Sequence, residues 1–310
     1  MLYLNEAQTS SLVDENRALA AARRAFIDHG KVFPVSRAFG AREGERFTMK
    51  SGATPDTVGV KIGSYWPGNE NRGLPRHGST IVLLDPETGR VSAVVEAAAA
   101  NAYRTAAAEA LAVETLSRPD STTLAVIGTG HQAFYEACAV VLVRPIKQIL
   151  VAGRDSAKAT TLTNRLANHL HLPVDAVPVR TAVESADLIS TATTAHEPLF
   201  EASWVRPGTH ISAMGSDAPG KQELPPKLLE SATLFCDNSE QTRSLGEFEH
   251  APADALITSL GKVLRSEAQG RTSADQITVF DSSGFALQDL ALARALIAAH
   301  TEQQKLTATA

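Results

Sequence analysis

Lys61 and Arg104 are charges in positions where charges are costly. Lys61 interrupts an apolar strand-like run, Val60-Lys61-Ile62, and Arg104 stands among small residues in Tyr103-Arg104-Thr105-Ala106-Ala107. By pattern alone such a lysine points to solvent from an edge strand. Turned into a pocket instead, it would lose solvation, lower its pKa and serve as a proton donor or an electrostatic clamp. A guanidinium among alanines either snorkels out or finds a buried anion, and a carboxylate satisfies its fork of donors two at a time. Arg37, at the end of another strand-like run, is a second arginine of this kind, and for both a structural salt bridge is an equally good account. Asp217 follows the run His210-Ile211-Ser212-Ala213-Met214-Gly215. If that run is a strand of a parallel sheet, its carboxyl end is where ligands bind. The competing reading is a turn aspartate ahead of Pro219-Gly220.

A cofactor reading comes from the stretch Leu124-Ala125-Val126-Ile127-Gly128-Thr129-Gly130-His131-Gln132-Ala133. Its first part reads as a buried parallel strand and its second as G-x-G-x-x-A opening an alanine-rich helix. Gly128 allows the tight turn, Gly130 admits a pyrophosphate to backbone N–H groups, and Ala133 keeps the helix close to the sheet. Alone the pattern is weak. Here a second strand, Gln148 to Gly153, follows at the proper distance, which favours dinucleotide binding over a glycine turn in some other α/β protein. Thr129, His131 and Gln132 join the same loop. At the end of the second strand, where an acid would read the ribose, stand Gly153 and Arg154, with Asp155 next. Arg154 favours a 2′-phosphate and NADP(H), whereas Asp155 keeps NAD(H) in play. Thr191 and Thr193 end a further strand with small hydroxylated residues suited to the nicotinamide side, and Met214 and Gly215 share that edge.

The rest of the chain supports this arrangement. It has 310 residues, 44% of them hydrophobic and 20% charged, a net charge of −5 and a pI near 6.0. A nucleic-acid partner is not expected from that balance. Cys138 and Cys236 form no C-x-x-C pair and read as buried thiols, His77, His131 and His210 lack metal-ligand spacing, and no apolar run reaches membrane-span length. A soluble cytoplasmic protein without a metal is expected. Residues 5–29 have helical spacing, and 32–37, 46–50, 58–63, 79–84 and 91–95 read as strands, the last two joined by the Asp85–Arg90 turn. An alanine-rich helix spans 96–116. Beyond the polar link at 117–121, strands and helices alternate in the doubly wound manner, until a helix over 286–300 that could return to the first domain. The tail after Thr301 is expected to fray. The fold class is therefore α/β. A Rossmann domain over 119–287 joins an α+β substrate and dimerisation domain made of 1–118 with 288–310.

With these segments in view, the chain resembles the ornithine cyclodeaminase/mu-crystallin family over nearly its whole length. The resemblance is carried by Lys61–Asn69 (KIGSYWPGN), Gly73-Leu74-Pro75, Leu84–Arg90 (LDPETGR), Tyr103–Ala107 (YRTAA), Val126–Ala133, His210–Leu224 (HISAMGSDAPGKQEL) and Thr278–Asp289 (TVFDSSGFALQD). It implies a homodimer whose Arg37, Lys61 and Arg104 form the substrate-carboxylate and catalytic set. It also implies that Asp217 is the acid meeting the substrate nitrogen, as in cyclodeaminase and alanine dehydrogenase members and unlike the ketimine reductases. Tyr65-Trp66-Pro67, His77-Gly78-Ser79-Thr80 and Leu245–His250 are most similar to the family's iminosuccinate reductases, which make L-aspartate from its imine. Gly153-Arg154 departs toward NADPH-using relatives. The reaction so implied is reduction of a small 2-imino acid, with Arg76, His77 and Ser79 as candidates for a second substrate carboxylate. Ornithine cyclodeamination with bound NAD+, alanine dehydrogenation, cyclic ketimine reduction and ligand binding without turnover are the alternatives.

Overall fold

The computed structural model describes residues 1–28, 31–33 and 36–309, which fall into two compact units, Met1–Arg104 with Phe285–Ala310 and Thr105–Gly284. The sequence places domain boundaries at 118 and 288. The units part instead at Arg104 and Gly284, the first division lying inside the helix Ala98–Leu116. That helix is unbroken and carries no proline or glycine, so nothing local marks the division.

The first unit is built on a seven-stranded sheet. Val91–Glu96, His77–Leu84, Thr57–Tyr65 and Arg46–Thr54 lie side by side and antiparallel. Leu2–Leu4 adds in parallel to the first of these, and Lys31–Val32 and Ser36–Phe39 both pair with the last. Period-two alternation sorts the side chains between faces. Ile81, Leu83, Ala93 and Val95 are buried on one face. Val60, Val82 and Val94 are only half-buried on the other, beside the exposed Ile62 and Met49. The helices Glu15–Ile27 and Ala286–Thr309 pack together, and the second also rests on the sheet. Phe26 meets Phe285 edge to face at 5.1 Å.

One expectation changes here. The predicted helix over 5–29 is two helices, Glu6–Leu12 and Glu15–Ile27, because the Asp14 side chain accepts the Arg17 N–H and starts the second. The strand expected over 32–37 lies partly outside the described residues. The C-terminal helix continues to Thr309, through the segment after Thr301 where the sequence expects a frayed tail. The Thr301 and Thr307 hydroxyls bond back to the carbonyls of Ile297 and Gln303 over a run of good helix formers.

The second unit is an eight-stranded, wholly parallel sheet in the order Val174–Ala176, Gln148–Ala152, Thr123–Ile127, Leu188–Thr191, His210–Ala213, Thr278–Asp281, Thr233–Cys236 and Ile257–Ser259. Alternate residues of each central strand are buried on opposite faces. Leu124, Val126, Ile149, Val151 and Leu188 pack with Ala133, Ala137 and Val140 of one helix layer. Ala125, Ile127, Leu150, Ile189, Ile211 and Val279 pack on the other side with Ala182, Val183 and Leu228. This is the doubly wound arrangement, and its order reverses between Thr123–Ile127 and Leu188–Thr191, which marks the switch point where a dinucleotide would lie. Both cysteines are buried, and among the described residues neither forms a disulfide. Among the described residues no helix is long and apolar enough to cross a membrane, and no cluster of three or more His, Cys, Asp or Glu has the geometry to hold a metal ion.

The second unit also encloses a polar chain. Ser190 donates to the buried carboxylate of Glu109 at 3.1 Å, and Glu136 lies against the same group. His210, held by Thr278 and Ser212, has its pKa pushed down to about 3 by burial and stays neutral. Burial and the adjacent Glu136 push the Glu109 carboxyl well above its ordinary value. Between the ordinary glutamate pKa and that raised value, the folded protein keeps a proton that the unfolded chain releases. Stability contributed by Glu109 is therefore full at low pH and lost as pH rises, by at most about 1.4 kcal/mol per pH unit. Glu109→Gln should keep its packing and lose less stability than wild type as pH rises above the ordinary glutamate pKa in urea unfolding. Parallel losses in the two proteins would mean that Glu109 does not hold the proton.

Candidate active site

Lys61 lies in the strand Thr57–Tyr65, on the face covered by the C-terminal helix, and only 6% of it is exposed. Its Nζ sits 3.0 Å from Oδ1 of Asp289 and also donates to Oδ1 of Asn101. Arg104 reaches the same two oxygens: Nε is 3.1 Å from Asp289 Oδ1 and 3.3 Å from Asn101 Oδ1, and Nη1 is 3.4 Å from Oε1 of Gln288. Two cations thus share one buried carboxylate. The buried charge that the sequence requires for Arg104 is supplied by the protein's own Asp289, which is 2% exposed. The second oxygen of that carboxylate, Oδ2, has no hydrogen-bond partner, nor has Nε2 of Gln288.

The titration of this cluster follows from its geometry. Burial, then the charges of Arg104 and Lys50, bring the Lys61 pKa down to about 7 against the pull of Asp289. Burial pushes Asp289 up, but Arg104, Lys61 and Lys50 together outweigh it and hold the carboxyl below its usual range. Below about pH 7 the three groups carry a surplus positive charge, and above it Arg104 and Asp289 balance.

Of the other residues proposed around this point, Ser79 pairs across the sheet with Gly63, two residues along from Lys61. It is buried and its hydroxyl has no hydrogen-bond partner. His77 is exposed, its ring 4.8 Å from that of Tyr65, over which Arg46 also lies at 4.6 Å. Arg76 is occupied with Glu70. The Arg37 backbone pairs with Thr48, and its side chain lies outside the described residues.

In the second unit the glycine loop has the features that a dinucleotide needs. Gly128 adopts φ +132°, and a Cβ on it would come 2.5 Å from the carbonyl oxygen of Ala192 across the switch point. Gly130 is the N-cap of the helix His131–Val143 without any side-chain cap, and a Cβ there would meet nothing. An anion can therefore approach this helix N-terminus directly. Ala133 is fully buried against the sheet. Thr129 turns the other way, its Cγ2 standing 2.6 Å from where a Cβ on Gly153 would be. Arg154 is exposed, whereas the Asp155 carboxylate accepts the N–H groups of Ala157 and Lys158 and caps the helix Ser156–Leu170.

The Thr191 and Thr193 hydroxyls both donate to the buried carboxylate of Glu223, at 2.6 and 2.7 Å. Asp217 is exposed and ion-paired with Lys221, whose Nζ is 2.6 Å from Asp217 Oδ1 and 3.0 Å from the Gly215 carbonyl. The second unit thus carries an open helix N-terminus after the glycine loop and an acid paired with Lys221, and the first carries the surplus cation.

The model of the ornithine cyclodeaminase/mu-crystallin family matches residues 29–304. The chain belongs to this family. It is 35% identical over 308 residues to the iminosuccinate reductase of Paracoccus denitrificans, with 96% of each chain covered. The crystal structure of that enzyme in complex with NAD+ superposes with a TM-score of 0.93 at 33% identity, covering 98% of this chain and 97% of the other. An archaeal alanine dehydrogenase dimer with bound NAD gives 0.90 at 28% identity, with 98% and 97% covered.

In this family member Asp289, Asn101, Glu223 and Lys221 are the residues at the two sites that sequence reasoning left unassigned. Asp289 carried a usable signal, since an acid on the apolar side of a helix needs a buried cation as much as Arg104 needs an anion. Affinity for a small carboxylate such as succinate should fall about tenfold per pH unit above pH 7 as Lys61 loses its charge. Lys61→Arg should flatten that dependence in a titration followed by calorimetry; an equal slope in both proteins would assign the titration to another group. Asp289→Asn leaves two cations without their counter-charge and should cost roughly 3–5 kcal/mol in chemical denaturation.

Proposed function

We propose that this chain is an NAD(P)H-dependent imine reductase that forms a small L-amino acid, with iminosuccinate to L-aspartate as its reaction. The observation that carries the proposal is the surplus positive charge of Lys61 and Arg104 around a single Asp289, in a chain with end-to-end similarity to an iminosuccinate reductase. A substrate carboxylate is the missing counter-ion. Arg104 grips it, Lys61 charges as it arrives, and Asn101 and Asp289 fix the two donors in place. The idle hydroxyl of Ser79 is the next donor on the same face and supports recognition of a dicarboxylate, with Arg37 and His77 as further contacts.

The cofactor fits the second unit through Gly128, Gly130, Ala133 and the bare N-terminus of the His131–Val143 helix, with Thr129, His131, Gln132, Thr191, Thr193, Met214 and Gly215 around it. When bound it supplies the hydride that reduces the imine carbon. Asp217 holds a proton at the substrate nitrogen, and Lys221 keeps its carboxylate oriented. NADPH is the preferred donor in this reading. The ribose-reading position at Gly153 is filled by Thr129, Asp155 caps its own helix, and Arg154 faces solvent where a 2′-phosphate would lie.

A homodimer completes the proposal. Val60, Val82, Val94, Ile62 and Met49 form a half-open apolar sheet face that a second copy would cover.

The decisive assay offers preformed iminosuccinate, other 2-imino acids and L-ornithine with each reduced cofactor. Net oxidation of NADPH with iminosuccinate and formation of L-aspartate are expected. Conversion of ornithine to proline and ammonia with no net change in the nicotinamide absorbance would make the protein a cyclodeaminase instead. For the cofactor, Arg154→Asp should shift the preference toward NADH by about tenfold or more in kcat/KM; an unchanged ratio would remove Arg154 from the selection.

A further inference from the structure

The Glu223 carboxylate takes four hydrogen bonds, and every one comes from the two strand ends on the far side of the switch point from the Gln148–Ala152 strand. Oε2 accepts the Thr191 hydroxyl at 2.6 Å and the Gly215 N–H at 2.9 Å. Oε1 accepts the Thr193 N–H and the Thr193 hydroxyl, both at 2.7 Å. A Cβ on Gly215 would stand 2.5 Å from Oε1, so the glycine is there to admit the carboxylate. Glu223 is itself pinned. Its N–H, with that of Leu224, donates to the buried carboxylate of Glu247, and its carbonyl accepts the Leu199 N–H. Burial raises the Glu223 pKa while the four donors oppose the rise, and two of those donors are backbone N–H groups, which only an acceptor can satisfy.

In a doubly wound fold the mononucleotide halves of a dinucleotide lie on opposite sides of the switch point. The adenosine half goes with the Gln148–Ala152 strand. The nicotinamide half goes with Leu188–Thr191 and His210–Ala213, whose ends Glu223 ties together. We propose that Glu223 is a positioning residue that sets the spacing of the Thr191–Thr193 and Met214–Gly215 edges, and through it the binding of the nicotinamide half alone. The inference rests on the dinucleotide-binding reading and goes beyond it, since Glu223 touches no part of the phosphate cradle.

The test compares two ligands in the full-length protein by fluorescence or calorimetric titration. NADPH spans both halves, whereas 2′-phospho-ADP-ribose, which lacks the nicotinamide, uses the adenosine half. Glu223→Gln turns an amide N–H2 toward one of the two backbone donors. It should weaken NADPH by about tenfold or more and leave 2′-phospho-ADP-ribose within about twofold, a split that general loosening of the fold would not give. Thr191→Val serves as the second variant, because Thr191 is fully buried and its hydroxyl makes its short bond to Glu223, with a longer one to the Ser212 carbonyl. It should show the same split at about three- to tenfold. Unchanged NADPH affinity in both variants, or parallel loss of both ligands, overturns the proposal. Failure of the wild-type protein to bind either ligand, and NADH and ADP-ribose in their place, would instead overturn the dinucleotide reading beneath it.

Discussion

One carboxylate between two buried cations governs the chemistry of the first unit. Asp289 compensates a single charge, and Lys61 and Arg104 bring two. A fully balanced cluster would be a structural ion pair with nothing left to bind. An uncompensated pair would be too costly to bury. The intermediate state is tolerable because Lys61 gives up its proton near neutrality, and in the proposed function a substrate carboxylate is what would restore its charge. Everything around the cluster serves that balance. The sheet buries Lys61, the helix carrying Arg104 starts beside it, and the last helix of the chain delivers Asp289 and Gln288.

The second unit solves a different problem, which is to hold loops at the ends of parallel strands without covering them. At the glycine loop the device is absence: an open N-cap at Gly130 and a left-handed Gly128 pressed against Ala192. At the other side of the switch point it is presence, in the form of buried acids. Glu223 collects the donors of two strand ends and Glu247 collects the donors of Glu223 and Leu224. Burial pushes the Glu247 carboxyl up to about 8 even so. Buried carboxylates used in this way act as fasteners for backbone N–H groups that would otherwise lack partners.

Much of this was legible in the chain, for reasons that can be named. The Rossmann half announces itself because buried parallel strands are short apolar runs, as in Leu124–Ile127 and Ile149–Ala152, and because its glycines have few alternative uses. Lys61 and Arg104 stood out because they break apolar surroundings. Less could be read where the signal is long-range or brief. Leu2–Leu4 and Ile257–Ser259 are three-residue strands, too short to show a period. Asp289 lies at the other end of the chain from Lys61, and pairing them needs the fold. Thr191 closes its strand and Thr193 follows two residues later, but the partner of their hydroxyls is Glu223, which no local pattern reveals.

The interlock between Thr129 and Gly153 has an evolutionary corollary. In many dinucleotide-binding proteins one acidic replacement after the second strand changes the ribose read by the fold. Here that position is sterically mortgaged to its neighbour across the loop, since any side chain at 153 collides with the threonine methyl. A lineage that places a side chain at 153 must therefore turn or shrink residue 129 before, or together with, that enlargement. The two positions are coupled by that contact, whereas a change at residue 154 does not pass through it.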